Sequence, residues 1–168
     1  FLMADPRYIQ NPRVIDTITY KELRELSYMG ATVLHEESIF PVRYSKIPIN
    51  IKNTNSPEDR GTFILPACEE SSKYTITGIA GKTGFSTITI EKDMMNSELG
   101  FGRRVLQVIE ENGVSFEHFP SGIDTMTVVI STKELAEKRA DIMAGICKSV
   151  NPDNIFVEEN LALIAVVG

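Results

Sequence analysis

Residues 78–90 read GIAGKTGFSTITI, and the triplet Gly81-Lys82-Thr83 is how a phosphate-binding loop ends. Such a loop has the form G-x-x-x-x-G-K-S/T and joins a strand to a helix whose N-terminus holds the phosphates. Counting back from Gly81 puts Ile76 where the first glycine belongs. The downstream residues are also wrong for a phosphate loop, because Phe85 to Ile90 places β-branched residues in alternation, the pattern of a strand. The stretch therefore reads as a turn between two strands, one over about 74–80 and one over about 85–92. Gly81 and Gly84 are free to take positive φ in that turn.

Further along, strands and helices alternate. A helix begins near Phe101, with Val105, Leu106, Val108 and Ile109 on its buried side and Asn112-Gly113 as its stop. Val114 to Phe119 and Thr125 to Ile130 read as strands. Ser131-Thr132-Lys133-Glu134 reads as a capping box opening a helix to about Ser149, and Ile155-Phe156-Val157 closes the unit. From 85 to 157 the order is β-α-β-β-α-β, an α/β (α+β) ferredoxin-like unit with two helices on one face of an antiparallel sheet. The strands at 74–82 and 161–168 fall outside this count and would serve a second unit, into which the first is inserted.

Upstream the chain is richer in helix. Thr19-Tyr20-Lys21-Glu22 has the capping-box pattern, Leu23, Leu26 and Met29 come after it at helical spacing, and Gly30 stands where a left-handed stop belongs. A second helix is expected from His35 or Glu36 to about Tyr44, and a strand over 47–52. Asn53 to Gly61 (NTNSPEDRG) is polar and unperiodic and reads as a linker. With the loop Glu69 to Lys73 it sets a boundary between a first part, 1–60, and a second, 74–168.

The 168 residues are 42% hydrophobic and 24% charged, with a net charge of −6. An acidic chain lacks the clustered cations that nucleic acid or an anionic membrane would attract. Cys68 and Cys147 form no C-x-x-C pair, and His35 and His118 stand far apart, so no metal-ligand set is visible. No apolar run reaches the roughly 18 residues of a membrane span. These features fit a cytoplasmic protein. The chain opens Phe1-Leu2-Met3-Ala4 and closes on a buried-type strand, so a fragment of a longer protein is expected.

Three stretches, in order, resemble the aspartate kinases: Ala4-Asp5-Pro6-Arg7; Tyr28 to His35 (YMGATVLH); and Ile47 to Thr54 (IPINIKNT) with Gly61-Thr62 after it. In that family such segments close the amino-acid kinase domain and lead into paired regulatory ACT domains. Leu99-Gly100-Phe101-Gly102 and Asn112 to Glu117 resemble the first ACT unit.

The resemblance implies that the parent transfers the γ-phosphate of ATP, bound with magnesium, to the side-chain carboxylate of aspartate. It also implies that the main catalytic segments lie upstream of Phe1, so this fragment alone is expected to be inactive and to hold no cofactor. A nucleotide-site remnant would comprise Leu2, Asp5, Arg7 and Thr32, with Thr32 standing where the family has lysine. The effector, lysine and/or threonine, would be held by Met95, Glu98, Gly100, Phe101 and Gly102 on one side. Ser115, Phe116, Glu117, Ser121, Ile123 and Asp124 would face it. Glu117 is expected to meet an ammonium group of the ligand by a charge-assisted hydrogen bond. A homodimer through the ACT units is expected as well. A free-standing ACT protein that binds an amino acid, and a bifunctional kinase–homoserine dehydrogenase parent, stay open as alternatives.

Overall fold

A computed structural model describes residues 1–31, 34, 36–67 and 74–168. It divides into two compact units, one formed by 1–82 with 163–168 and the other by 83–162.

In the first unit, strand β1 (Thr17–Thr19) runs straight into helix α1 (Tyr20–Tyr28). The capping box forms as the sequence dictates. The Thr19 hydroxyl accepts the Glu22 N–H at 3.2 Å, and Glu22 Oε2 accepts the Thr19 N–H at 2.8 Å. The helix ends in a Schellman turn, with the Ala31 N–H donating to the Leu26 carbonyl and the Gly30 N–H to the Ser27 carbonyl. Helix α2 (Glu36–Tyr44) comes next, then strands β2 (Ile49–Ile51) and β3 (Thr62–Leu65). The sheet order is β1-β3-β2, with β1 parallel and β2 antiparallel to β3.

The NTNSPEDRG stretch is thus the loop of a hairpin within one sheet, where the sequence suggests a linker. Backbone bonds Ser56 N–H to Asn53 O and Asp59 N–H to Ser56 O curl it. Gly61 ends it at φ +75°, where a Cβ would come within 2.3 Å of the Ile51 carbonyl oxygen, so no other residue fits. The polar composition reflects exposure of the loop. The core here gathers Ile15, Ile18, Leu23, Leu26, Ile64 and Ala80, with Leu163, Ala165 and Val167 packed against it.

The second sheet corrects the reading of residues 78–90. No turn occurs at Gly81-Lys82-Thr83-Gly84; β4 is one strand, Gly78–Glu91. Gly84 does take a positive φ, +94°, but the strand continues through it. The segments expected separately at 155–157 and 161–167 are likewise one strand, β6 (Asn154–Val167), with Asn160 at φ +60°. The two strands are neighbours. The Thr77 N–H donates to the Val167 carbonyl near one end and the Asp153 N–H to the Glu91 carbonyl at the other, so they run antiparallel.

In the second unit β4 also pairs antiparallel with β5 (Thr125–Ser131), Phe85 opposite Ser131 and Glu91 opposite Thr125. Helices α3 (Phe101–Glu111) and α4 (Thr132–Val150) cover one face. Ile88, Ile90, Val128 and Ile130 of the sheet meet Val105, Ile109, Leu135, Ile142 and Ile146 of the helices. The second strand of the expected β-α-β-β-α-β order is reduced to a bulged edge. Glu117 donates to the Val129 carbonyl while Val129 donates to the His118 carbonyl, so two residues face one, and Pro120 has no N–H to extend the ladder. The expected Ser131 cap is also absent, because Glu134 turns away to accept the Ser115 N–H at 3.2 Å.

The close packing of Gly145 and the hydrogen bonding of Glu22 each allow a test. Gly145 of α4 lies so close to α3 that a Cβ would meet Val108 Cγ1 at 2.7 Å. Alanine favours an open helix interior, but Gly145→Ala is expected to lower stability by about 1–3 kcal/mol through overpacking. Adding Val108→Ala should relieve the clash, so that urea unfolding shows the double variant losing less than the sum of the single losses. Glu22 gives a pH-dependent case. Burial pushes its carboxyl up, but hydrogen bonds from the Thr19 hydroxyl, the Thr77 hydroxyl and the Thr19 N–H together hold it below the ordinary value. Its contribution is present above the unfolded pKa of about 4.3 and is lost as pH falls through the lower folded value. Glu22→Gln should therefore flatten the fall in unfolding free energy over that acid window; an unchanged slope contradicts the assignment.

Candidate functional site

The chain leaves β4 at Lys92 and makes a short 3-10 turn, Met95–Ser97, before α3 begins at Phe101. Three hydrogen bonds tie this connection to the loop entering β5. The Lys92 N–H donates to the Asp124 carbonyl at 2.9 Å, the Met94 N–H to Asp124 Oδ1 at 2.8 Å, and the Asn96 N–H to the Ile123 carbonyl at 3.0 Å. Of the expected effector residues, the structure thus brings Met95, Glu98, Gly100, Phe101 and Gly102 together with Ile123 and Asp124.

Their side chains do different things. Met95 and Phe101 are buried in the core, and their N–H groups already donate to the Lys92 and Glu98 carbonyls. Gly100 is left-handed at φ +74° and lets the chain turn into α3, whose first-turn N–H groups carry the positive end of the helix dipole. A Cβ on Gly102 would touch Met126 Cε at 3.3 Å and Phe119 Cε1 at 3.4 Å, so a small residue is required where α3 meets the bulged edge. Ile123 is exposed, as are the neighbouring Met94 and Leu99.

Glu98 is already paired. Its Oε2 lies 2.6 Å from Lys92 Nζ, and its other oxygen accepts from the Arg104 guanidinium. The hydrogen bond from Lys92, and then the charges of Lys92 and Arg104, hold the Glu98 carboxyl below the usual carboxylate range. Lys92 and Arg104 are not among the residues the sequence singles out. One signal was available, since two consecutive arginines in the first turn of a helix oppose its dipole unless an anion is near.

Ser115 and Phe116 lie elsewhere. They border a shallow groove with Leu106, Ile109, Glu110 and Gly113 at the far end of α3, a helix of about 16 Å at 1.5 Å per residue. Phe116 packs obliquely on Phe119 with ring centroids 5.9 Å apart. Glu117 is half-buried at the bulge, and Ser121 bridges to Met126 on β5. A bulge re-aims side chains relative to a regular strand, so the alternation of this edge is not what the sequence implies.

The expected nucleotide remnant lies in the first unit. Leu2 bridges to Val14 and is partly exposed. Arg7 grips Asp5, with Nη2 at 2.6 Å from Oδ2 and Nε at 3.1 Å from Oδ1. Hydrogen bonds from the Arg7 side chain and N–H hold the Asp5 carboxyl low. Thr32 lies outside the described residues. Among the described residues no cluster of side chains suits a metal ion, and no helix is long and apolar enough to cross a membrane.

Comparison with known proteins gives the context. The model of the amino acid kinase family matches residues 1–53. Aspartokinase 3 of Bacillus subtilis (strain 168) is 42% identical over 98% of this chain and 36% of its own length. The chloroplastic aspartokinase 2 of Arabidopsis thaliana is 29% identical over 99% of this chain and 29% of its own. The crystal structure of Clostridium acetobutylicum aspartate kinase, described as an allosteric enzyme, superposes with a TM-score of 0.90 at 57% identity, covering 100% of this chain and 39% of that one. Aspartokinase III of Escherichia coli, solved in complex with lysine and aspartate, superposes at 0.72 with 21% identity, covering 99% of this chain and 37% of that one, which shows the shared fold. The chain thus spans about a third of the length of the curated relatives it matches.

The stapled loops yield a prediction. Asp124→Ala removes the acceptor of the Met94 N–H and should cost about 1–2 kcal/mol in urea unfolding. A loss within error would mean that the loop is held by its backbone bonds alone.

Proposed function

We propose, on the premise that this chain belongs with the aspartokinases over nearly its whole length, that it is their regulatory, amino-acid-sensing portion. The parent enzyme would phosphorylate the side-chain carboxylate of aspartate with magnesium-bound ATP. Phosphoryl transfer depends on groups that position and neutralise the phosphates. By the resemblance, the segments that do this belong to the rest of the parent, so catalysis is assigned there and regulation to this part.

The observation that carries the reading is the stapling of residues 92–98 to 123–124 at the N-terminal end of α3. Backbone N–H groups at a helix N-terminus suit the α-carboxylate of an amino acid. Glu117, on the edge beside β5, is the acidic group assigned to the ligand's ammonium. Lysine and threonine are the effectors considered, as end products of the pathway that begins with phosphorylated aspartate. A second copy of the chain is assigned to the outer side of the bulged edge at 117–121, which itself lines β5, since an incompletely paired sheet edge invites pairing.

Calorimetric titration of the chain with lysine and with threonine tests this. Binding of at least one is expected, and Glu117→Gln should weaken it about ten- to a hundredfold, the range for losing a hydrogen bond to a charged group. No heat from either amino acid with the folded chain would contradict the sensing role. Binding unchanged in Glu117→Gln would remove that residue from the site but leave the role standing.

A further inference from the structure

The connection between β4 and α3 is held in a shape its backbone does not favour by itself. Met94 is left-handed at φ +59°, a conformation that side chains other than glycine, asparagine and aspartate seldom adopt, and Gly100 is left-handed at φ +74°. Such a residue persists only where its surroundings fix it. Between the two, one carboxylate gathers two cations. Lys92 Nζ lies 2.6 Å from Glu98 Oε2, and Arg104 donates to Glu98 Oε1.

Each cation also holds a backbone carbonyl. Lys92 Nζ donates to the Val150 oxygen at 2.6 Å, at the C-terminus of α4, where a cation is favoured by the helix dipole. Arg104 Nη1 donates to the Leu99 oxygen at 3.0 Å. One charge cluster therefore spans the end of β4, the loop, the first turn of α3 and the last turn of α4. The side chains of Lys92, Glu98 and Arg104 are 22%, 34% and 25% exposed, and a network sheltered to this degree is screened less than an isolated surface pair.

We propose that the Lys92–Glu98–Arg104 cluster is a latch that positions residues 95–100 to receive the amino-acid effector, with Glu98 acting through the loop instead of touching the ligand. The proposal rests on the sensing role given above. Both Glu98 oxygens are already bound by cations, so a ligand ammonium would have to displace one of them. The backbone around Gly100, by contrast, is what the latch leaves presented. Lys92, Glu98 and Arg104 are positioning residues in this account, and the loop is in shape before the ligand arrives.

The test compares the wild-type chain with Glu98→Gln, Arg104→Met and the double variant. Without ligand, amide hydrogen exchange at residues 96–101 should accelerate about tenfold in each single variant, the scale of a lost charge-assisted hydrogen bond, while Ile142 and Ile146 in α4 stay protected. Lys92→Met removes the other cation from the same carboxylate and should accelerate exchange on the same scale, which supplies a further variant should the others fold poorly. In titrations with lysine and threonine, each single variant should weaken binding about tenfold and the double variant no further, because both changes release the same latch. Loop exchange equal to wild type overturns the latch whatever the ligand does. Losses that multiply in the double variant overturn it in favour of direct contact by Glu98. If the wild-type chain binds neither amino acid, the sensing role fails and the effector role of the latch fails with it, while the exchange data still decide whether the latch orders the loop.

Discussion

The burial of Phe101 is the constraint on which the rest of the second unit depends. Its ring is 3% exposed in the core, yet its backbone is the first residue of α3. The core therefore reaches to the very start of the helix, and hydrophobic packing fixes where the N–H groups of that helix begin. A site made of backbone needs such an anchor, since it has no side chain of its own to lock. The glycines on either side serve the same end, Gly100 by turning left-handed and Gly102 by letting Phe119 and Met126 close in. Polar groups then complete what packing begins, through Asp124 on one side and Glu98 with its two cations on the other.

Much of this order is legible in the sequence wherever it is local. The capping box at Thr19-Glu22 and the glycine stops at Gly30 and Gly113 each depend on residues a few positions apart, and all form. The start of α3 is legible in the same way, whereas the approach of residues 123–124 to it is implied only by the family resemblance. What escaped depends on partners far away in the chain. Strands β1 and β3 are three and four residues long, too short for a periodic signal, and exist because each finds the other.

Residues 78–90 show the same limit from the opposite side. Two glycines and a lysine look like a turn, and Gly84 does take the backbone angle a turn would want. The neighbouring strands override it, and the chain runs on as one strand of 14 residues. The edge at 117–118 fails in the other direction, since an alternating stretch acquires a bulge and loses its regular pairing. The latch is hinted at only by the arginine pair at the start of α3, and it is the fold that brings Lys92 and Arg104 to one carboxylate, six residues from each. By position Ser115 and Phe116 belong with the effector residues, but they border a groove at the C-terminal half of α3 with Leu106, Ile109 and Glu110.

The central claim, that an amino acid is received at the start of α3, is tested most directly by amide chemical-shift mapping on the isotopically labelled chain during titration with lysine and with threonine. The account predicts that the largest changes fall at residues 95–102 and 121–124, with smaller ones at Glu117. Changes confined to the first unit, around Leu2 to Arg7 or along α1, would contradict it.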